Sequence, residues 1–211
     1  MDGVLGLSLP TLTLAQLLQR LVALLAVLAA HGLVAAAIAD RLGDPGPRHD
    51  GRRTPSPLPH LDIVGFIHGL FFVVVWMRPL DVDPGRLRGG WRGALAMTAG
   101  ASAALAALSA LLLLARPAIL PLLGDSASYA VGGILNAAAD VAIVTAIVHL
   151  LPLPPFLGAA WAPWAGRLGA VWTDARLRWG VIAALALASL AGLTPRAVDP
   201  IASAWRTLLG Y

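Results

Sequence analysis

Four long apolar runs constrain this chain more than any other feature: Leu14 to Ile38, Ala94 to Leu114, Ala130 to Leu151 and Leu177 to Leu193. A helix needs roughly 20 mostly apolar residues to cross a hydrocarbon core. Three runs meet that length and the fourth falls slightly short. Hydrophobic residues are 58% of the 211, charged residues are 12%, and the mean hydropathy is +0.79. A soluble domain of this length could not bury so much apolar surface. The expected fold class is an all-α integral membrane protein with four transmembrane helices, a re-entrant or fifth short apolar segment, and a C-terminal interfacial helix. Residues 1–211 form a single membrane domain.

The ambiguous segment is "IVGFIHGLFFVVVWM", Ile63 to Met77, with only 15 residues. Arginine placement separates its two readings, because short cytoplasmic loops are rich in basic residues. If it crosses, the two sides carry seven and eight arginines. If it turns back, loops 40–62, 78–93 and 152–176 share one face with Arg178, and the split becomes eleven to four. The second split favours re-entry, with the N-terminus outside and the loop after His31 in the cytoplasm. Trp76, Trp91, Trp161, Trp164, Trp172 and Trp179 would then line the inner interface as an aromatic belt, with Trp205 outside. The loop "GDPGPRHDGRRTPSPLPH" should be extended and turning. Asp199 and Pro200 should start a helix over 200–210 that lies on the outer surface with Ile201, Trp205 and Leu208 on one face.

All 15 basic residues are arginine, which with the Ala/Leu bias suggests a GC-rich bacterial genome. The pI of about 10.9 does not imply nucleic acid, since the arginines lie between apolar runs without a basic helix or stacking array. Membrane lipid and other membrane proteins are the expected partners. The absence of cysteine rules out disulfides and thiolate chemistry. "MDGVLGLSLP" has no basic stretch before its first apolar run, so the first span reads as retained rather than as a cleaved signal.

Ionisable groups inside apolar spans cost about 2.5–3.5 kcal/mol for Arg or Asp at the centre, so each needs a partner or a purpose. Arg20, His31, His68, Asp140 and His149 are the candidates. Arg20 and Asp140 fall at comparable depths on the first and fourth apolar segments, which predicts an intramembrane ion pair between them. His31 and His149 lie towards the inner end. They, or His68, could ligate a metal, a haem or a chlorophyll-type pigment through imidazole nitrogen. The alternative is that they are hydrogen-bonded packing groups.

The stretch "HGLVAAAIADRLGDPGPRHDGRRTPSPLPHLD" resembles the bacterial branch of the site-2 protease family, intramembrane zinc metalloproteases. That family reads His-Glu-x-x-His, then Gly-Asp-Pro, then Gly-Arg-x-Thr-x-Asn-Pro and His-x-Asp. Gly43, Asp44, Pro45, Gly51, Arg52, Thr54, Pro57, His60 and Asp62 keep the frame without a gap. "VVWMRPLDVDP" and "VHLLPLPPFLG" are similar to two later family blocks, so the resemblance covers residues 20–160, leaving 161–211 as a C-terminal span and amphipathic helix.

The resemblance implies what should stand at the catalytic positions, and there this chain departs. His31 occupies the first zinc-histidine position. Gly32 replaces the general-base glutamate, Ala35 the second histidine, and Leu157 the ligand aspartate. Ala101 and Ala104 replace a proline and an asparagine, and His149 stands where another asparagine is usual. With one ligand of three, these positions cannot assemble a tetrahedral catalytic zinc. The resemblance therefore implies no enzyme, no catalytic residue and no zinc. It points to a pseudoprotease of the bacterial inner membrane, serving as a structural or accessory subunit or an adaptor in a membrane protein complex. Two alternatives are carried: a pigment- or haem-binding subunit using His31, His68 or His149, and a zinc protease with relocated ligands from His31, His149, His60, Asp62 or Asp140.

Overall fold

A computed structural model describes residues 11–164, 166, 169, 171 and 174–211. Among them the chain is helical: α1 (Leu14–Arg41), α2 (Gly46–His49), α3 (Ile63–Phe72), α4 (Trp91–Ile119), α5 (Asp125–Val148), α6 (Ala175–Leu190) and α7 (Leu193–Leu208). One-turn 3-10 segments at Leu58–His60 and Leu120–Leu122, and a longer one at Leu157–Trp164, complete it. Three helices, α1, α4 with its 3-10 extension, and α5, are long and apolar enough to cross a membrane. A fourth exists if α6 and α7, bent by 82° at their junction, act as one.

Local chemistry explains the helix starts. Thr13 caps α1 through a reciprocal box with Gln16, which satisfies two otherwise orphaned donors. Asp62 caps α3 by accepting from the Gly65 N–H at 2.9 Å. Helices α1, α4 and α5 then pack through small residues, with Ala23, Ala35, Ala39, Ala101, Ala138, Ala142 and Ala146 in one core. Alanine faces let helix backbones approach closely, where dispersion does most of the work in an apolar medium.

The segment 63–77 turns back. Helix α3 ends at Val73, whose φ of +70° lies in a region that a β-branched residue adopts only when its surroundings force it. Val74, Val75, Trp76 and Met77 return as buried extended chain. Met77 meets Leu61 in an antiparallel bridge, and the Arg78 N–H donates to the His60 carbonyl at 2.8 Å. The hairpin thus enters and leaves at one end, so the arginine-rich loops before and after it lie together.

Several expectations need correction. Trp76 is fully buried in a core with Val74, Ile143 and Val144, so it belongs to no interfacial belt, although Trp91 and Trp179 are about half exposed. Trp172 and Arg167 lie outside the described residues. The proline-rich loop forms one helical turn, α2, and a 3-10 turn ending at His60. The last helix begins at Leu193 rather than Pro200, because Gly192 takes φ +71° and makes the bend available without a Cβ clash. Pro195 then falls in the first turn, where its missing N–H has no helical partner to lose. Helix α7 does not simply lie on a surface: Val198 is buried against the second core and the Trp205 indole N–H donates to Ser109 Oγ at 3.0 Å. The C-terminus closes on α4 where Pro117 interrupts it. Proline cannot donate to the carbonyl four residues back; that carbonyl, of Leu113, instead accepts from the Tyr211 hydroxyl at 2.6 Å.

Candidate functional site

A hairpin that turns back inside a helical bundle leaves backbone carbonyls without helical partners, and each must be satisfied by protein where lipid offers nothing. The polar side chains inside the apolar segments do this. Arg20 Nη1 donates to the carbonyls of Leu70 and Phe71, at 2.9 and 3.1 Å. His68 Nδ1 donates to the Val74 carbonyl at 2.7 Å, which leaves Nε2 to accept from Ser189 Oγ at 2.9 Å. Ser189 in turn bonds Thr194 across the α6–α7 bend at 2.6 Å. His149 Nε2 donates to the Val75 carbonyl at 3.2 Å, and its Nδ1 accepts from the Leu157 N–H at 3.4 Å. At the hairpin mouth, Arg52 donates to the carbonyls of Arg78 and Pro79. Arg20 and three elements therefore hold one turn of chain.

The expected Arg20–Asp140 ion pair does not form. Asp140 is bound at both oxygens by Arg206 of α7, while the Arg20 guanidinium is drawn to the α3 carbonyls. The two residues line one cavity and act on each other through space without a direct bond. The reason is the hairpin turn itself, whose free carbonyls compete for Arg20 and are invisible to a depth count along straight helices.

His31 is different. It is completely buried, and neither ring nitrogen has a hydrogen-bond partner. Its ring lies edge-on to His149 with centroids 4.4 Å apart and planes at 80°. Beside it, Gly32 carries no side chain because His60 occupies the space. A Cβ built there would stand 2.0 Å from His60 Nδ1. His60 is held in turn by Arg52 Nε, which donates to Nδ1 at 3.3 Å, and by the Thr54 carbonyl, which accepts from Nε2 at 3.1 Å. Burial pushes the His60 imidazole below its ordinary value; the Thr54 carbonyl works against that and the Arg52 charge with it. Ala35 and Leu157 sit in the same apolar core.

The donor set at these positions does not fit zinc. Ala35 and Leu157 offer no ligand atom, and the ring nitrogens of His60 and His149 already bond protein groups. The other residues considered for a relocated site are also engaged: Asp62 caps α3 and pairs with Arg178 at 2.8 Å, and Asp140 pairs with Arg206. Among the described residues no group of three His, Cys, Asp or Glu stands together as a metal site would require.

Sequence reasoning found the residues that hold the hairpin, and its reading of His68 and His149 as hydrogen-bonded packing groups matches their bonds, but it misassigned the partner of Arg20. It also missed Arg206, Ser189 and Thr194. Asp140 and His68 were the available signal, since each isolated buried polar group needs a partner. The partners came from α6 and α7, which no spacing rule connects to them. Comparison with protein-family models, with curated proteins and with solved structures gave no match.

Proposed function

We propose that this chain is a catalytically inactive membrane protein on a site-2-protease-like scaffold, acting as a structural, accessory or adaptor subunit of a membrane protein complex. One observation carries the inactive reading: the space beside His31, where such a protease would need its general base, is filled by the His60 ring at 2.0 Å from a Cβ on Gly32. An acid cannot enter without displacing a histidine that two hydrogen bonds fix. The apolar packing of Ala35 and Leu157 supports the same reading, because a former ligand set that closes into core has no remaining call on a metal.

The arginine-rich loops at the hairpin mouth support a cytoplasmic placement of that end, in a bacterial inner membrane with the N-terminus outside. Purification of the full chain from native membranes tests the proposal. Zinc analysis, an absorption spectrum, a cleavage assay on a membrane-spanning peptide and identification of co-purifying proteins are read together. The expected outcome is no stoichiometric zinc, no cleavage and a defined membrane-protein partner. Zinc with cleavage overturns the inactive reading. A visible chromophore that disappears in His31→Ala would replace it with pigment or haem binding, and isolation as a lone monomer would sink the subunit role.

A further inference from the structure

A cavity of about 230 Å³ lies between α1, α5 and the hairpin turn, lined by Gln16, Gln19, Arg20, Asn136 and Asp140 among others. That volume holds several water molecules at about 30 Å³ each. Its polar lining is unlike the rest of the helix-packing surface, where alanine dominates.

The two charged groups of the lining are bonded differently. Asp140 is neutralised by Arg206, which engages both its oxygens. Arg20 binds only neutral carbonyls, and only through Nη1. Its Nε and Nη2 have no protein acceptor, so one guanidinium edge is left without a hydrogen bond, and Asp140 acts on it only through space. The neighbouring amides add donors. Gln16 uses its side-chain oxygen in the α1 cap and leaves its NH₂ free, and the Asn136 amide makes no protein hydrogen bond. Gly133 makes room for the Gln19 amide, which a Cβ there would displace.

We infer that this cavity binds a small oxyanion, a carboxylate or a phosphate-type group, bidentate on the Nε/Nη2 edge of Arg20 and hydrogen-bonded by the Gln16 and Asn136 amides. A planar guanidinium edge matches two oxygens of such a group. The oxyanion is either a free ion or the phosphodiester of an anionic lipid whose headgroup reaches the cavity. The site is independent of the histidine positions and of the subunit role proposed above.

The test uses the full chain in lipid nanodiscs. Inorganic phosphate and acetate are titrated by calorimetry in phosphatidylcholine nanodiscs, and thermal stability is compared between phosphatidylcholine and phosphatidylglycerol nanodiscs. Saturable binding of phosphate or acetate identifies a free ion; stabilisation by phosphatidylglycerol without such binding identifies the lipid phosphodiester. In either case Asn136→Leu and Gln16→Leu, which leave the Arg20 bonds to the hairpin intact, weaken the effect at least tenfold. Arg20→Lys, which keeps the charge but not the fork, weakens it similarly. No response to any of the three probes overturns the inference, and so does a response that Asn136→Leu and Gln16→Leu leave unchanged.

Discussion

His149 and His31 face each other at 4.4 Å, are both fully buried, and differ in every other respect. His149 ties the returning strand of the hairpin to the chain after α5 with two hydrogen bonds. His31 makes none. The difference extends to their regions. Around the hairpin Arg20, Arg52, His68 and His149 each hold a backbone carbonyl, whereas the buried neighbours of His31 on its own helix, Gly32 and Ala35, carry no polar side chain. Burial alone therefore says little about a histidine's work. What distinguishes the two is whether irregular backbone lies within reach.

The largest effect should come from placing a side chain at Gly32. Gly32→Glu has to expel the His60 ring and break its bonds to Arg52 and Thr54, and the protein should fail to accumulate in the membrane. Gly32→Ala is the milder version, costing roughly 3 kcal/mol from overpacking and lost hydrogen bonds, read by unfolding in mild detergent. His60→Ala should relieve much of that cost, so the double variant is more stable than the sum of the single losses predicts. Strict additivity would show that His60 is not what excludes a side chain at Gly32.

Replacing each histidine by leucine sharpens the contrast directly. His149→Leu strands the Val75 carbonyl and the Leu157 N–H, at roughly 2–3 kcal/mol for buried groups left unpaired. His31→Leu removes two ring nitrogens that bond nothing and supplies apolar volume, so it should cost under about 1 kcal/mol or stabilise. Equal losses would break the comparison, because His31 would then have to hold something.

Much of this was legible from the sequence, for reasons tied to particular residues. The apolar runs placed α1, α4 and α5 because length and hydropathy are properties of single segments. The reversal of 63–77 was expected from arginine placement, a bulk electrostatic property that needs no contact information. Arg20, His68, Asp140 and His149 stood out because their burial is costly wherever they go. Their partners were not legible. Arg20 was matched to Asp140 by charge, but the Leu70 and Phe71 carbonyls that it binds exist as free acceptors only because Val73 turns the chain. Gly32 could be read as a lost acid; that His60 fills its space depends on how a proline-rich loop folds back over α1.

Carbonyl capping can be calibrated away from the hairpin, where failure of the fold is less of a concern. Tyr211 donates to the carbonyl that Pro117 leaves free on α4. Tyr211→Phe removes that one bond and should cost about 1 kcal/mol, measured by the same unfolding assay. Pro117→Ala in the Phe background should recover most of the loss, because a restored N–H can bond Leu113 within the helix. No recovery would mean that Tyr211 contributes by packing, and the hydrogen-bond argument for His149 would weaken with it.

The smallest effect is a pH dependence localised to the boundary between the two regions. His60 faces Arg52, the Thr54 carbonyl and the Gly32 backbone, and burial holds its imidazole below its ordinary value. The unfolded chain, with an ordinary histidine near 6.5, then binds more protons than the folded one over the interval below that value. Stability is fully present above about pH 6.5 and declines as pH falls through the interval towards the folded value. His60→Gln, which cannot titrate, should flatten that part of the stability profile while lowering the neutral-pH plateau, since glutamine cannot reproduce both ring bonds at once. A profile of unchanged slope in the variant would assign the pH dependence to the other histidines and remove His60 as its source.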